Sequence, residues 1–256
     1  MDQRSEAWFR MRAGRITGSR FAQAMADKNS STYHSFVDRL VEERRTGRCL
    51  DRDFVNPAMQ WGIDHEESAR RWYCRSQKRQ VDRVAFVVHP EFDFVGVSPD
   101  GLIDDDGLLE IKCPQLAAFE NVLKSRRMPA RYRWQVQGQM WVCDRQWLDF
   151  VCYYPRGRGV VIRVQRDDTD LLSLEARCIE IDRMVERRLE SRRPSSRLRD
   201  DPVAKQDVPK VPVSTRELLD HLLKSRDQQP APASSELPAW IWLVGVLTML
   251  IVFLVR

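Results

Sequence analysis

Asp100, Glu110 and Lys112 are the residues whose types and spacing point most directly to chemistry. They lie in the stretch FVGVSPDGLIDDDGLLEIKCP, where an apolar run, Phe94–Val97, delivers Pro99-Asp100 at its end. A second run then carries Glu110-Ile111-Lys112. Residues two apart on a strand project from one face, so Glu110 and Lys112 share a face. If the two runs pair across the Asp104–Gly107 turn, Asp100 and Glu110 converge. Two carboxylates in one place repel unless a cation sits between them. Mg²⁺ is held by one or two carboxylates together with waters and phosphate oxygens. Lys112 beside them can orient or deprotonate a water, or neutralise charge on a scissile phosphate. The set suits metal-assisted phosphodiester hydrolysis. An unpaired Glu or Lys on an apolar strand is costly, which separates this pattern from a surface turn with an incidental salt bridge. Lys112 is also one of only four lysines in residues 1–190, against 28 arginines. Asp104, Asp105 and Asp106 read as a solvated turn rather than as ligands.

These residues need strands and helices to hold them. The pattern predicts strands at 83–89, 93–97, 107–112, 147–154 and 160–165. It predicts helices at 17–25, with Thr17 as N-cap, and at 34–45, 57–75, 115–125, 130–142 and 169–190. Asn56-Pro57 supplies a cap and a first-turn proline for the third of these. Strands placed between helices indicate an α/β layered domain, and their hairpin-like neighbours imply a mixed β-sheet flanked by helices. Trp134 and Trp141, two turns apart on one helix, read as core.

Composition narrows the class. The chain has 256 residues, 43% of them hydrophobic, and a net charge of +5. Residues 1–190 hold 32 Lys+Arg against 30 Asp+Glu, so bulk charge is weak support for nucleic acid. Six cysteines form no C-x-x-C and no zinc-like spacing with His, and they read as reduced cytosolic thiols. The charged N-terminus shows no secretory signal. Residues 191–238 hold 7 of the 13 prolines and read as a flexible linker. Residues 239–255, AWIWLVGVLTMLIVFLV, carry no charge and are long enough for a single transmembrane helix at the lower limit, with Trp240 and Trp242 at one end. The expected organisation is a nuclease domain at 1–190, a linker at 191–238 and a C-terminal membrane anchor at 239–255. The nuclease domain would sit in the cytoplasm.

Five blocks occur in order: WFRMRAGRITGS (8–19), WGIDHEESA (61–69), SPDG (98–101), LEIKCP (109–114) and WQVQGQMWV (134–142). Together they resemble the lambda-exonuclease/YqaJ family of viral recombination nucleases, within the PD-(D/E)xK superfamily. The resemblance covers residues 5–190 and implies a restriction-endonuclease-like α/β core. It implies Asp100, Glu110 and the Ile111 carbonyl as metal ligands and Lys112 as the catalytic lysine. Glu66 would complete the metal and water site. Taken alone, a helical Glu is commonly a solvated face residue, and His65 beside it is a weak metal signal. Gln135 resembles the family's active-site glutamine, and Gln139 lies one turn on, on the same helical face. Arg12 resembles the arginine that binds the 5′-phosphate of a DNA end, with Thr17, Ser19 and Ser98 lining that path. Gly14–Ser19 would be a loop entering a helix, where N–H groups and hydroxyls can face a phosphate.

The resemblance implies a Mg²⁺-dependent 5′→3′ double-strand DNA exonuclease, with Mn²⁺ as a substitute. It would act in phage-type recombination on double-stranded DNA ends, pass single strands to a single-strand annealing protein, and form a homotrimer. The residues themselves argue only for metal-dependent phosphodiester cleavage. Two other readings stay open at this point: a membrane-associated endonuclease of the same superfamily, and a non-catalytic tether for DNA ends.

Overall fold

The computed structural model describes residues 2–51 and 55–191. The linker and anchor expected beyond residue 191 lie outside the described residues. Among those described, no helix is long and apolar enough to cross a membrane.

The chain opens with α1 (Glu6–Arg12), capped by the Ser5 side chain on the Trp8 N–H. Strand β1 (Ile16–Thr17), a 3-10 turn at Gly18–Arg20 and the short α2 (Phe21–Ala24) follow. Helix α3 (Ser31–Thr46) starts at the Ser30 cap and stops at Gly47, whose φ of +66° suits glycine. Helix α4 (Pro57–Gln77) starts where expected, the Asn56 side chain accepting from the Met59 N–H. Then come β2 (Val87–Val88), β3 (Val95–Val97), β4 (Gly101–Ile103) and β5 (Gly107–Lys112). Helices α5 (Leu116–Ser125) and α6 (Arg133–Cys143) lead to the hairpin β6 (Trp147–Tyr154) and β7 (Arg158–Gln165). Helix α7 (Asp168–Ser191) ends the described chain.

The strands form two sheets. One has the order β1-β3-β2 and the other β4-β5-β6-β7. Only β1–β3 and β5–β6 are parallel, so both sheets are mixed. Helix α4 covers one face of the larger sheet, where Ala69 and Tyr73 pack on Leu109, Ile111 and Val151. Helices α5 and α6 cover the other, where Phe119, Val136 and Met140 pack on Leu108, Leu148 and Phe150. A third core joins β1, β3, α2, α3 and α7, and includes Trp141, with Trp134 packed against it.

Three local expectations are corrected. Residues 17–25 are not one helix, and Thr17 makes no cap. Ile16 and Thr17 pair with Val95 and Gly96 of β3, which commits their backbone to a sheet. The strand expected at 83–89 shrinks to two residues, because the Val84 and Ala85 carbonyls accept from the Gln3 amide and the Trp8 indole instead of a neighbouring strand. The run 93–97 does not pair with β5. Its strand lies in the smaller sheet, and the hairpin partner of β5 is β4, three residues with Gly101 opposite Leu109. Too short to show a period, β4 and the seven-residue α1 left no pattern to read.

Helix α6 comes close to α2 because residue 138 is glycine. A Cβ there would lie 2.2 Å from the Phe21 ring, which is fully buried. Alanine is the better helix former by about 1 kcal/mol, but overpacking a filled core costs about 1–3 kcal/mol. Gly138→Ala is therefore expected to lower the thermal midpoint, by several degrees for a domain of this size. An unchanged or raised midpoint in a thermal melt would show that α2 yields freely.

Candidate active site

Strand β5 reads Leu-Leu-Glu-Ile-Lys with both faces covered, so its alternation divides the side chains between two cores. Leu109 and Ile111 enter the α4 side and Leu108 the α6 side. Glu110 shares the face of Leu108, and it is 2% exposed. A carboxylate there needs partners, and it has them. Oε1 accepts from Gln135 Nε2 at 2.6 Å, and Oε2 accepts from Gln139 Nε2 at 2.7 Å. Lys112 Nζ lies 2.6 Å from Oε1, confirming that the two residues share a face. Asp100 stands in the turn before β4, and its Oδ2 accepts from the Ile111 N–H at 2.6 Å. That contact brings it to the strand that carries Glu110, by way of β4 rather than the expected β3.

Carboxylates crowd around Asp100. Burial, then the charge of Glu110, then that of Glu66, hold the Asp100 carboxyl well above the usual carboxylate range. Lys112 is raised by Glu110 and Asp100 against the opposing effect of burial. Glu66, on α4, is held by Arg70 Nη2 at 2.8 Å and lies 3.4 Å from Arg4 Nη2. Burial pushes the Cys113 thiol up to about 12, so this neighbour of Lys112 stays protonated.

Asp100, Glu110, Lys112, Glu66, Gln135 and Gln139 line one cleft of about 930 Å³. Its other end is cationic. Arg12, 8% exposed, points Nη2 at Ser19 Oγ (3.3 Å) and Thr17 Oγ1 (3.4 Å). Its guanidinium stacks 4.2 Å from the Trp8 ring centroid. Among the described residues it pairs with no carboxylate, and its Nε is buried without a partner. The Trp8 indole N–H reaches Ser98 Oγ at 2.8 Å. Arg12, Ser19 and Ser98 line the cleft, whereas Thr17 is buried outside its lining and meets it only through Arg12.

The donor set fits a divalent cation. It offers two mutually repelling carboxylates, Asp100 and Glu110, with Ile111 beside them in the cleft. Among the described residues no three His, Cys, Asp or Glu side chains form a closed cage. An incomplete set of one or two carboxylates is what Mg²⁺ takes when waters and a phosphate supply the rest. Trp8 under Arg12, and Arg70 and Arg4 on Glu66, escaped the sequence reading, whereas Gln139 lies on the face of Gln135 as its helical spacing implied.

The YqaJ-like viral recombinase domain matches residues 7–146, a span that includes all of these side chains but Arg4. The chain belongs to the YqaJ-like viral recombinase family. An alkaline exonuclease from Laribacter hongkongensis is 32% identical and superposes with a TM-score of 0.68, covering 73% of this chain and 95% of its own. The same protein in complex with dAMP matches equally well. A phage-related exonuclease from Haemophilus somnus 129PT, at 15% identity and a TM-score of 0.56 over 69% of this chain and 96% of its own, shares the fold. No curated protein matches the chain.

A carboxyl whose pKa is raised by folding costs the metal-free protein stability above its ordinary pKa; the cost is full above the raised value and is relieved as pH falls through that value toward the ordinary one. Asp100→Asn keeps an oxygen for the Ile111 N–H and removes the charge. In EDTA near neutral pH its thermal midpoint is expected to equal or exceed that of the unsubstituted protein. Divalent cation should raise the midpoint of the unsubstituted protein by mass action and leave Asp100→Asn unmoved. A variant that still responds fully to the cation would remove Asp100 from the ligand set.

Proposed function

We propose that this protein is a Mg²⁺-dependent DNA exonuclease that degrades one strand of a duplex from its 5′ end. The observation that carries this reading is one cleft with two poles. The pair Asp100–Glu110 with Lys112 suits phosphodiester hydrolysis, and the buried, uncompensated Arg12 suits a terminal phosphate. Likeness to an alkaline exonuclease, solved also in complex with dAMP, supports a DNA-hydrolysing enzyme that releases nucleotides.

Asp100, Glu110 and the Ile111 carbonyl would hold the cation, with Glu66 completing its water shell. Bound there, Mg²⁺ supplies Lewis acidity at the scissile phosphate and lowers the pKa of a bound water. The protein's own groups fix the rest. Gln135 and Gln139 donate to Glu110 and hold its carboxylate in place. The Ile111 N–H orients Asp100. Lys112 offers a cation to the phosphate or orients the attacking water. Arg12 and Ser19 would grip the 5′-phosphate with charge-assisted bonds. Ser98, fixed by Trp8, lies along the path between the poles.

The single-strand annealing partner, the homotrimer and Mn²⁺ as a substitute follow from the family resemblance and are part of the proposal. Attachment of a cytoplasmic nuclease domain to a membrane rests on the sequence of residues 239–255 alone. Deleting 238–256 should move the protein from the membrane pellet to the supernatant with nuclease activity kept. Full-length protein found only in the supernatant would end that part of the reading.

The central test is digestion of linear and closed circular duplex DNA, with 5′-phosphate or 5′-hydroxyl ends, in Mg²⁺ and in EDTA. Linear phosphorylated DNA should disappear in Mg²⁺ alone, with circles intact. Cut circles would instead favour an endonuclease, and no cutting a DNA-end tether. Asp100→Ala and Glu110→Ala should abolish digestion. Lys112→Arg should be nearly as damaging as Lys112→Ala, since arginine is wider and does not give up its proton. Arg12→Ala should lower the preference for phosphorylated ends more than the rate once DNA is bound.

A further inference from the structure

Glu43, near the end of α3, is 0% exposed and has no part in the chemistry above. A buried carboxylate is tolerated only when its oxygens are satisfied, and here both are. Oε2 accepts from the Gly14 N–H at 3.0 Å and from Arg20 Nη1 at 3.2 Å. Oε1 accepts from Arg20 Nη2 at 2.8 Å and from the Leu50 N–H at 3.0 Å. The next residue, Arg44, donates from Nε to the Gly14 carbonyl at 2.9 Å. Consecutive residues of one helix therefore clasp both backbone groups of Gly14. At φ +72°, with a Cβ position 2.6 Å from Arg44 Cγ, residue 14 has room for no side chain.

This turn joins Arg12 to Ser19, and their side chains meet at 3.3 Å across it. A shift of the turn would separate them. Glu43 also acts on charge. Arg20 lies close enough to oppose the charge of Arg12, but its guanidinium is committed to Glu43 and Asp51. Arg12 is thereby left as the guanidinium with free bonding capacity. Glu43 touches neither cleft pole directly.

We propose that Glu43 is a positioning residue for end recognition: it pins the Gly14 turn so that Arg12 and Ser19 form one phosphate cradle, and it occupies Arg20 so that Arg12 carries the phosphate. The proposal rests on the reading of Arg12 as the end-phosphate contact. It separates specificity for phosphorylated ends, which would depend on Glu43, from phosphodiester cleavage, which would not.

Glu43→Gln keeps the shape, removes the charge and turns an amide N–H₂ toward the donors of Arg20 or Leu50. Arg44→Lys reaches the same turn from the other side, removing the Nε donor to the Gly14 carbonyl, and leaves Glu43 and Arg20 paired. It carries the test should Glu43→Gln not fold. The measurements are anisotropy titrations of the full-length chain, in EDTA, with duplexes ending in 5′-phosphate or 5′-hydroxyl. They are paired with KM and kcat on linear phosphorylated DNA in Mg²⁺, at a temperature where circular dichroism shows the variants folded. The phosphate-to-hydroxyl affinity ratio is expected to fall roughly tenfold in both variants, the scale of one charge-assisted contact. KM should rise by a similar factor, with a smaller change in kcat. An unchanged ratio in a folded variant, with losses equal on both ends, would make Glu43 merely structural and overturn the proposal. Equal binding of both ends by the unsubstituted protein would instead overturn the reading of Arg12 beneath it.

Discussion

The site depends on a carboxylate buried within a strand. Glu110 sits where a leucine would be the ordinary choice, with α4 and α6 closing the two faces of its sheet. Without donors that position would be costly, since a desolvated charge must be paired and hydrogen-bonded. The constraint reaches outward. Helix α6 must present Gln135 and Gln139, one turn apart, to the two oxygens. It must also lie close to the sheet and to α2, and glycine at 138 permits that approach. Lys112 adds a cation on the same face and Glu66 is paired with Arg70 and Arg4, so among the described residues Asp100 is left beside Glu110 without a cationic partner of its own. A divalent cation between the two would relieve their repulsion.

The second pole is built on the opposite logic. Arg12 is desolvated, which lowers its pKa, and the carboxylates nearest to it, Asp51 and Glu43, are engaged by Arg20. Such a guanidinium keeps its charge, because arginine is not deprotonated in proteins, and it retains unused donors. The cleft thus offers an anion unused guanidinium donors at Arg12 and carboxylates at Asp100 and Glu110. Under the proposed function that asymmetry would orient a phosphodiester chain without base-specific contact.

How far the sequence announced this depends on whether a residue's role is local. Strand β5 and strand β6 have the boundaries expected from their apolar runs, and α4 begins at its expected cap, because these signals lie within a few residues. The Glu110–Lys112 face followed from strand alternation alone. The route that brings Asp100 in did not, since β4 is three residues long and pairs only because β5 lies beside it. Thr17 looked like a cap, but a parallel pairing with β3, nearly eighty residues away, claimed it. Glu43 sits in the run Glu42-Glu43-Arg44-Arg45, which reads as a solvated helix face. Only the packing of the Gly14 turn and Arg20 against α3 shows that one of these two acids is interior.

The two poles come from distant parts of the chain, so something must set their separation, and the N-terminal segment does. Trp8 lies beneath the Arg12 guanidinium, while its indole N–H is shared between Ser98 Oγ and the Ala85 carbonyl. Gln3 donates to the Pro99 carbonyl, one residue before Asp100. Arg4 reaches Glu66 on α4. Helix α1 and the residues before it therefore tie Arg12 to Ser98, Pro99 and Glu66, beside the carboxylates. In an enzyme that grips a terminal phosphate at one pole and cleaves at the other, the distance between them decides which phosphodiester is placed for attack. A loose joint would blur that choice, because a misplacement of about 1 Å costs a reaction heavily. The aromatic stack and shared indole hydrogen at Trp8 make the joint stiff, since a ring with few rotatable bonds loses little entropy when held. If Arg12 grips the terminal phosphate, the packing of α1 against Ser98 and of Gln3 against Pro99 would set the length of the cut.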